Sequence, residues 1–142
     1  MRKTYSGYIT KLEDNQIFVF GANTQGRHGK GAALIAKTKF GAIYGQARGL
    51  QGKCFAIVTK DLTKKIHPSV DRDEIIDEIG NLYELASKNT DKEYLVAYNG
   101  VGINLSGYSN HDMANMFCSF SIPPNVIFEE SFLELFEDFY KK

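Results

Sequence analysis

The stretch FGANTQGRHGKGAALIAKTKFG, Phe20–Gly41, sets five glycines among small and basic side chains, between an apolar run and a segment rich in helix formers. Upstream, QIFVF has the β-branched and aromatic character of a strand. Downstream, Ala32–Lys39 favours a helix that Gly41 would stop. The order is therefore strand, glycine-rich turn and a helix beginning near Gly29. The first turn of such a helix has unpaired N–H groups and the positive end of its dipole, and Gly29 and Gly31 would let a phosphate approach without a Cβ in the way. The alternative is that the glycines only permit a sharp turn, and this loop alone does not separate the two readings.

Outward from this unit, short β-branched and aromatic runs recur as YSGYIT, CFAIVT, EYLVAY and NVIFE, all strand candidates. Helical start signals lie between them: Asp71 with Glu74, Ser109 with Asp112 and Ser131 with Glu134, each at capping-box spacing. Behind the first cap, Ile75, Ile79, Leu82 and Ala86 recur at helical spacing. Behind the last, Phe132, Leu135, Phe136 and Phe139 do the same. Alternation of strand and helix from residue 16 onward predicts an α/β domain with a mixed, largely parallel sheet between layers of helices. In such a fold ligands bind at the carboxyl ends of strands. Three loops qualify: Gly21–Gly31, Lys60–Val70 and Asn99–Tyr108.

The last of these repeats the first. In NGVGINLSGYS, Gly100, Gly102 and Gly107 follow an apolar strand and precede a capped helix, so two such loops would suit a diphosphate. Neither loop reads GxxxxGK[ST] or GxGxxG, which removes support for P-loop and dinucleotide-dehydrogenase readings. Lys60 ends the strand CFAIVT, and its ammonium is expected on the rim that carries both loops. Arg27 offers a fork of donors suited to phosphate, or is a surface charge. His28 reads first as a solvated loop side chain and second as a ligand contact. His28, His67 and His111 show no metal-binding spacing, and no metal or cofactor is expected.

A chain of 142 residues is long enough for one domain burying about two-thirds of its unfolded surface. With 17 basic and 17 acidic residues, the overall charge gives no sign of a duplex-binding surface or of a membrane anchor. Cys54 and Cys118 sit in apolar runs and read as buried thiols of a reducing compartment. The N-terminus lacks a signal core and no apolar run spans a bilayer, so a cytoplasmic protein is expected.

The order and spacing of GYITKLEDNQIFVFGAN, GKGAALIAKTKFG and NGVGINLSGYS resemble the macrodomain family, which binds and processes ADP-ribose. Within it the chain is most similar to the branch of terminal ADP-ribose protein glycohydrolases and DNA ADP-ribosyl glycohydrolase antitoxins, where a lysine follows a strand as Lys60 does in AIVTKD. Small macro-like phage proteins look similar too. The resemblance covers nearly the whole chain and implies a single macrodomain-like three-layer α/β/α sandwich over residues 1–142. It implies Asn23 near the distal ribose, Gly29, Gly31 and Ala32 along ribose and phosphate, and Gly100, Val101, Gly102, Ile103 and Asn104 around the diphosphate. Tyr8, Ile9, Gly21, Arg27, His28 and Phe128 complete the implied ligand contacts. Two positions depart from the family pattern: Tyr8 stands where many members have an Asp, and Asn104 where the glycohydrolase has an acid.

The expected activity is removal of ADP-ribose from a modified protein or nucleic acid at the distal ribose C1, with Lys60 and Asn104 as the catalytic residues. One alternative is a non-catalytic module that sequesters ADP-ribose-like nucleotides, cyclic ones included. A second is an ADP-ribose 1''-phosphate phosphatase. The expected partners are ADP-ribose or a related nucleotide and an ADP-ribosylated macromolecule, with no membrane, and the protein is expected to be a monomer.

Overall fold

A computed structural model describes residues 2–98 and 106–142. In chain order these form β1 (Thr4–Tyr5), β2 (Gln16–Asn23), α1 (Gly31–Lys39), β3 (Gly49–Gln51), β4 (Cys54–Lys60), α2 (Arg72–Lys88), β5 (Glu93–Val96), α3 (Asn110–Phe117), β6 (Val126–Glu129), α4 (Glu130–Leu133) and a 3-10 turn, Asp138–Lys141. The strands make one sheet in the order β1-β6-β5-β2-β4-β3, parallel throughout except for the β3–β4 pair. Parallel strands covered on both faces need near-continuous apolar sequence, which is what IFVF and CFAIV supply.

Alternation along β2 divides the core in two. Ile17 and Val19 face α2, α3 and α4, and join Ile75, Ile79, Leu82, Phe117, Phe128 and Phe132. Phe18, Phe20 and Ala22 face α1 and join Ala33, Ala36 and Phe40. The α/β expectation therefore holds, with helices on both faces of a mixed sheet. Among the described residues, no helix is long and apolar enough to cross a membrane.

Four local expectations are corrected. Helix α1 begins at Gly31, not near Gly29, because Lys30 is extended at φ −145° and ψ 154°. Gly31 itself has φ +56°, a left-handed conformation that glycine takes without a Cβ penalty. The first strand keeps only Thr4 and Tyr5 of the expected region. Its partner β6 ends at Glu129, leaving Ser6–Thr10 no strand to pair with. The last helix is capped by Glu129 instead of Ser131: the Glu129 carboxylate accepts from the N–H groups of Ser131 and Phe132 at 2.8 and 3.1 Å. That helix stops at Leu133, since Leu135 and Phe136 bond back three residues to Phe132 and Leu133, tightening the chain toward 3-10 geometry and leaving Phe139 exposed.

Strand β3, three residues on the sheet edge, was not anticipated. The cap at Ser109 is as expected, its hydroxyl accepting the Asp112 N–H at 3.0 Å. Asp71 is the N-cap of α2, but its side chain makes no capping bond.

Candidate ligand cleft

From β2 the chain turns through α1 toward β3 and β4, whereas from β5 it turns the other way, through α3 toward β6. The carboxyl ends of β2 and β5 therefore diverge at a topological switch point, where open α/β sheets hold their ligands. A cavity of about 280 Å³ lies there. Its walls combine the start of α1 on one face of the sheet with Met113, Phe117 and Phe132 from the other, so the cleft crosses the sheet's edge.

Its floor is shaped by a β-bulge. Ala22 pairs with Val58 and Asn23 with Lys60, which leaves Thr59 as the extra residue. Glu78 of α2 accepts the Val58 N–H at 2.9 Å. Thr59 lines the cleft beneath Gly21, where a Cβ would come within 3.0 Å of the Thr59 hydroxyl oxygen. Lys60 is half-buried at the end of β4 and does not line the cleft among the described residues.

The turn between β2 and α1 is held by its own side chains. The Asn23 amide nitrogen donates to the Arg27 carbonyl at 2.8 Å, and its oxygen accepts the N–H groups of Gln25 and Arg27 at 3.2 and 2.9 Å. Asn23 is thus committed to an Asx-type turn and does not reach the cleft.

His28 is fully buried, correcting the expectation of a solvated side chain. Its ring stands edge-on to Phe20 at 5.2 Å, and its Nε2 lies 3.3 Å from Oε1 of the buried Gln51. The Gln51 amide nitrogen donates to the Gln46 carbonyl at 3.1 Å, and the amide oxygen also accepts the Ile43 N–H at 2.8 Å. With that oxygen as acceptor, His28 Nε2 carries the proton, and its buried Nδ1 has no hydrogen-bond partner. His28 fixes the turn from behind. Arg27 is exposed, and neither it nor Gly29 lines the cleft.

At the cleft itself stand Lys30, Gly31 and Ala32, the start of α1, with Tyr8 and Ile9 from the segment after β1. Lys30 was missed in the sequence. It is the only charged side chain on the lining among the described residues, which include no carboxylate, imidazole or thiol there.

The aromatic wall is tightly bonded. Tyr5 donates to the Val96 carbonyl, and burial, with the nearby Glu129 charge, pushes its phenol above the usual tyrosine range. Tyr98 stacks on Phe132 at 4.8 Å and shares a hydrogen bond with Asn110. Burial is the main cause that raises its phenol too. Phe128, expected at the ligand, is instead in the core, packed against Phe117, Phe132 and Phe136.

Gly100, Val101, Gly102, Ile103 and Asn104 lie outside the described residues. The segment is docked just beyond them: a Cβ on Gly107 would fall 2.6 Å from the His67–Pro68 backbone, and the Tyr108 hydroxyl donates to the Val70 carbonyl at 2.7 Å. Of the expected contacts, then, the cleft brings together Tyr8, Ile9, Gly21, Gly31 and Ala32. Among the described residues no group of His, Cys, Asp and Glu is placed to hold a metal. Comparison with protein-family models, with curated proteins and with solved structures found no match.

Proposed function

We propose that this protein is a binding module for ADP-ribose or a related nucleoside diphosphate ribose, held in the switch-point cleft. The observation that carries this reading is the composition of the described cleft lining: the start of α1 and one cation, Lys30, among mostly apolar and aromatic side chains, with Thr59, Ser106 and Asn110 as uncharged polar ones. An anionic group favours the unpaired N–H groups of a helix start, and a planar base favours aromatic walls. A polar ligand with one charged and one ring-bearing end fits both requirements. Among the described residues the lining carries no carboxylate, imidazole or thiol for proton transfer or nucleophilic attack, which favours capture over turnover.

Hydrolytic release of ADP-ribose is the second reading. It rests on Lys60, which ends β4 on the same sheet edge, next to the lining residue Thr59. A phosphatase would need an acid and base pair that these side chains do not supply.

Calorimetric titration with ADP-ribose and AMP, followed by chromatography of ADP-ribosylated protein and DNA incubated with the protein, tests both readings. Binding of ADP-ribose at least tenfold tighter than AMP, with no ADP-ribose released, is the expected result. Equal affinity for the two would end the diphosphate-ribose reading. Release that is lost in Lys60→Ala and Lys60→Arg alike would establish the hydrolase.

A further inference from the structure

Gly21 interrupts β2, where a residue without a side chain weakens a strand. Its φ is not left-handed, so the backbone does not demand glycine there. Space does: a Cβ would fall 3.0 Å from Thr59 Oγ1. A glycine inside a strand also marks a place where a ligand can approach the backbone closely, and Gly21 and Thr59 both line the cleft. Any other residue at position 21 would crowd the Thr59 hydroxyl.

Thr59 is buried, at 8% exposure. Among the described residues its hydroxyl has one hydrogen-bond partner, the Ala22 carbonyl at 3.5 Å, well beyond the roughly 2.7–2.8 Å usual for such a bond. A buried donor so weakly paired has given up water for little return, and a better acceptor would recover that cost. The side chain is also fixed in place. Thr59 is the extra residue of the β2–β4 bulge, and Glu78 holds the neighbouring Val58 N–H at 2.9 Å. Ribose and phosphate oxygens are acceptors of the kind this hydroxyl lacks.

We propose that Thr59 is a ligand-binding residue whose hydroxyl, left open by Gly21, donates to an oxygen on the ribose-diphosphate part of the ligand. This rests on the binding reading above. The test is calorimetric titration of wild type, Thr59→Val, Thr59→Ala and Thr59→Ser with ADP-ribose and with ADP, alongside thermal melts. Thr59→Val keeps the shape and removes the donor, so ADP-ribose should bind about fivefold more weakly or worse, with little change in melting temperature. Thr59→Ala should show the same loss, and Thr59→Ser should stay within about threefold of wild type.

An equal loss with ADP assigns the bond to the diphosphate, and a loss confined to ADP-ribose assigns it to the distal ribose. Unchanged affinity in Thr59→Val or Thr59→Ala overturns the proposal while leaving the binding reading intact. A Thr59→Ser protein as weak as Thr59→Val overturns it as well. If wild type does not bind ADP-ribose, the binding reading fails and this inference fails with it.

Discussion

The two faces of the sheet solve the same packing problem with different chemistry. On the α2–α4 face, Phe117, Phe128, Phe132 and Phe136 interlock through edge-on ring contacts, with centroids 4.8–6.0 Å apart. On the α1 face, the helix presents only Ala33 and Ala36 as fully buried residues, and a polar hub at Gln51 holds the turn that leads into it. The first face is a store of apolar burial. The second is thin and hydrogen-bonded, so the start of α1 is set at the cleft by geometry more than by bulk. Stability should therefore be concentrated on the first face, and the hold on a ligand's charged end should depend on the second.

The largest expected effect is on the aromatic face. Phe128→Ala removes a fully buried ring from contact with three others and should cost about 3–5 kcal/mol in chemical denaturation, a large part of a domain's total stability. A loss below about 1 kcal/mol would show that this face does not hold the fold.

An intermediate effect is expected at Gln51. Gln51→Leu leaves the Ile43 N–H, the Gln46 carbonyl and His28 Nε2 without their partner, and should cost about 1–3 kcal/mol, mostly at His28, whose bond is the buried one while the other two are part-buried. It should also weaken ADP-ribose binding several-fold although Gln51 does not line the cleft, because the turn before α1 loses its support. Unchanged affinity in a destabilised Gln51→Leu protein would break the link between hub and cleft.

The smallest effect lies on the sheet's N-terminal edge, remote from both. Hydrogen bonds from Lys3 at 2.6 Å and from Gln16 at 3.0 Å hold the Glu93 carboxyl below its ordinary value. A depressed folded-state pKa means that this contribution is present above the unfolded carboxylate value and is lost as pH falls through the folded one. Lys3 is mostly exposed, so the pair is screened and should be worth less than about 1 kcal/mol. The melting-point difference between wild type and Glu93→Gln should be small at pH 7, shrink in high salt and vanish in acid. A difference that grows toward low pH would reverse the assignment.

Much of this organisation was legible. The central strands announce themselves as unbroken apolar runs, and the Ser109 cap is a local hydrogen bond between residues three apart. What escaped is non-local. His28 is buried because Gln51, 23 residues later on an edge strand of three residues, comes back to meet it, and a strand that short has no alternation to read. Lys30 was hidden because helix α1 starts two residues later than its glycines suggest.

Asn23 carried a usable signal: an Asn at a strand's end followed by TQGR invites an Asx turn, and that local bond takes precedence over a ligand contact. Tyr8 and Ile9 were placed at the ligand by resemblance. Their position follows physically from the early end of β6, which releases the chain after Tyr5 to run over the cleft.

The central claim is that the start of α1 at the switch-point cleft receives the ligand's charged end. Amide chemical shifts of isotopically labelled protein, followed during titration with ADP-ribose, test it residue by residue. The largest changes are expected at Gly21, Lys30, Gly31 and Ala32, with smaller ones at Tyr8, Ile9 and Tyr98 and none along the outer face of α2. Saturating changes that spare Lys30–Ala32 and cluster elsewhere, or no change at millimolar ADP-ribose, would contradict it.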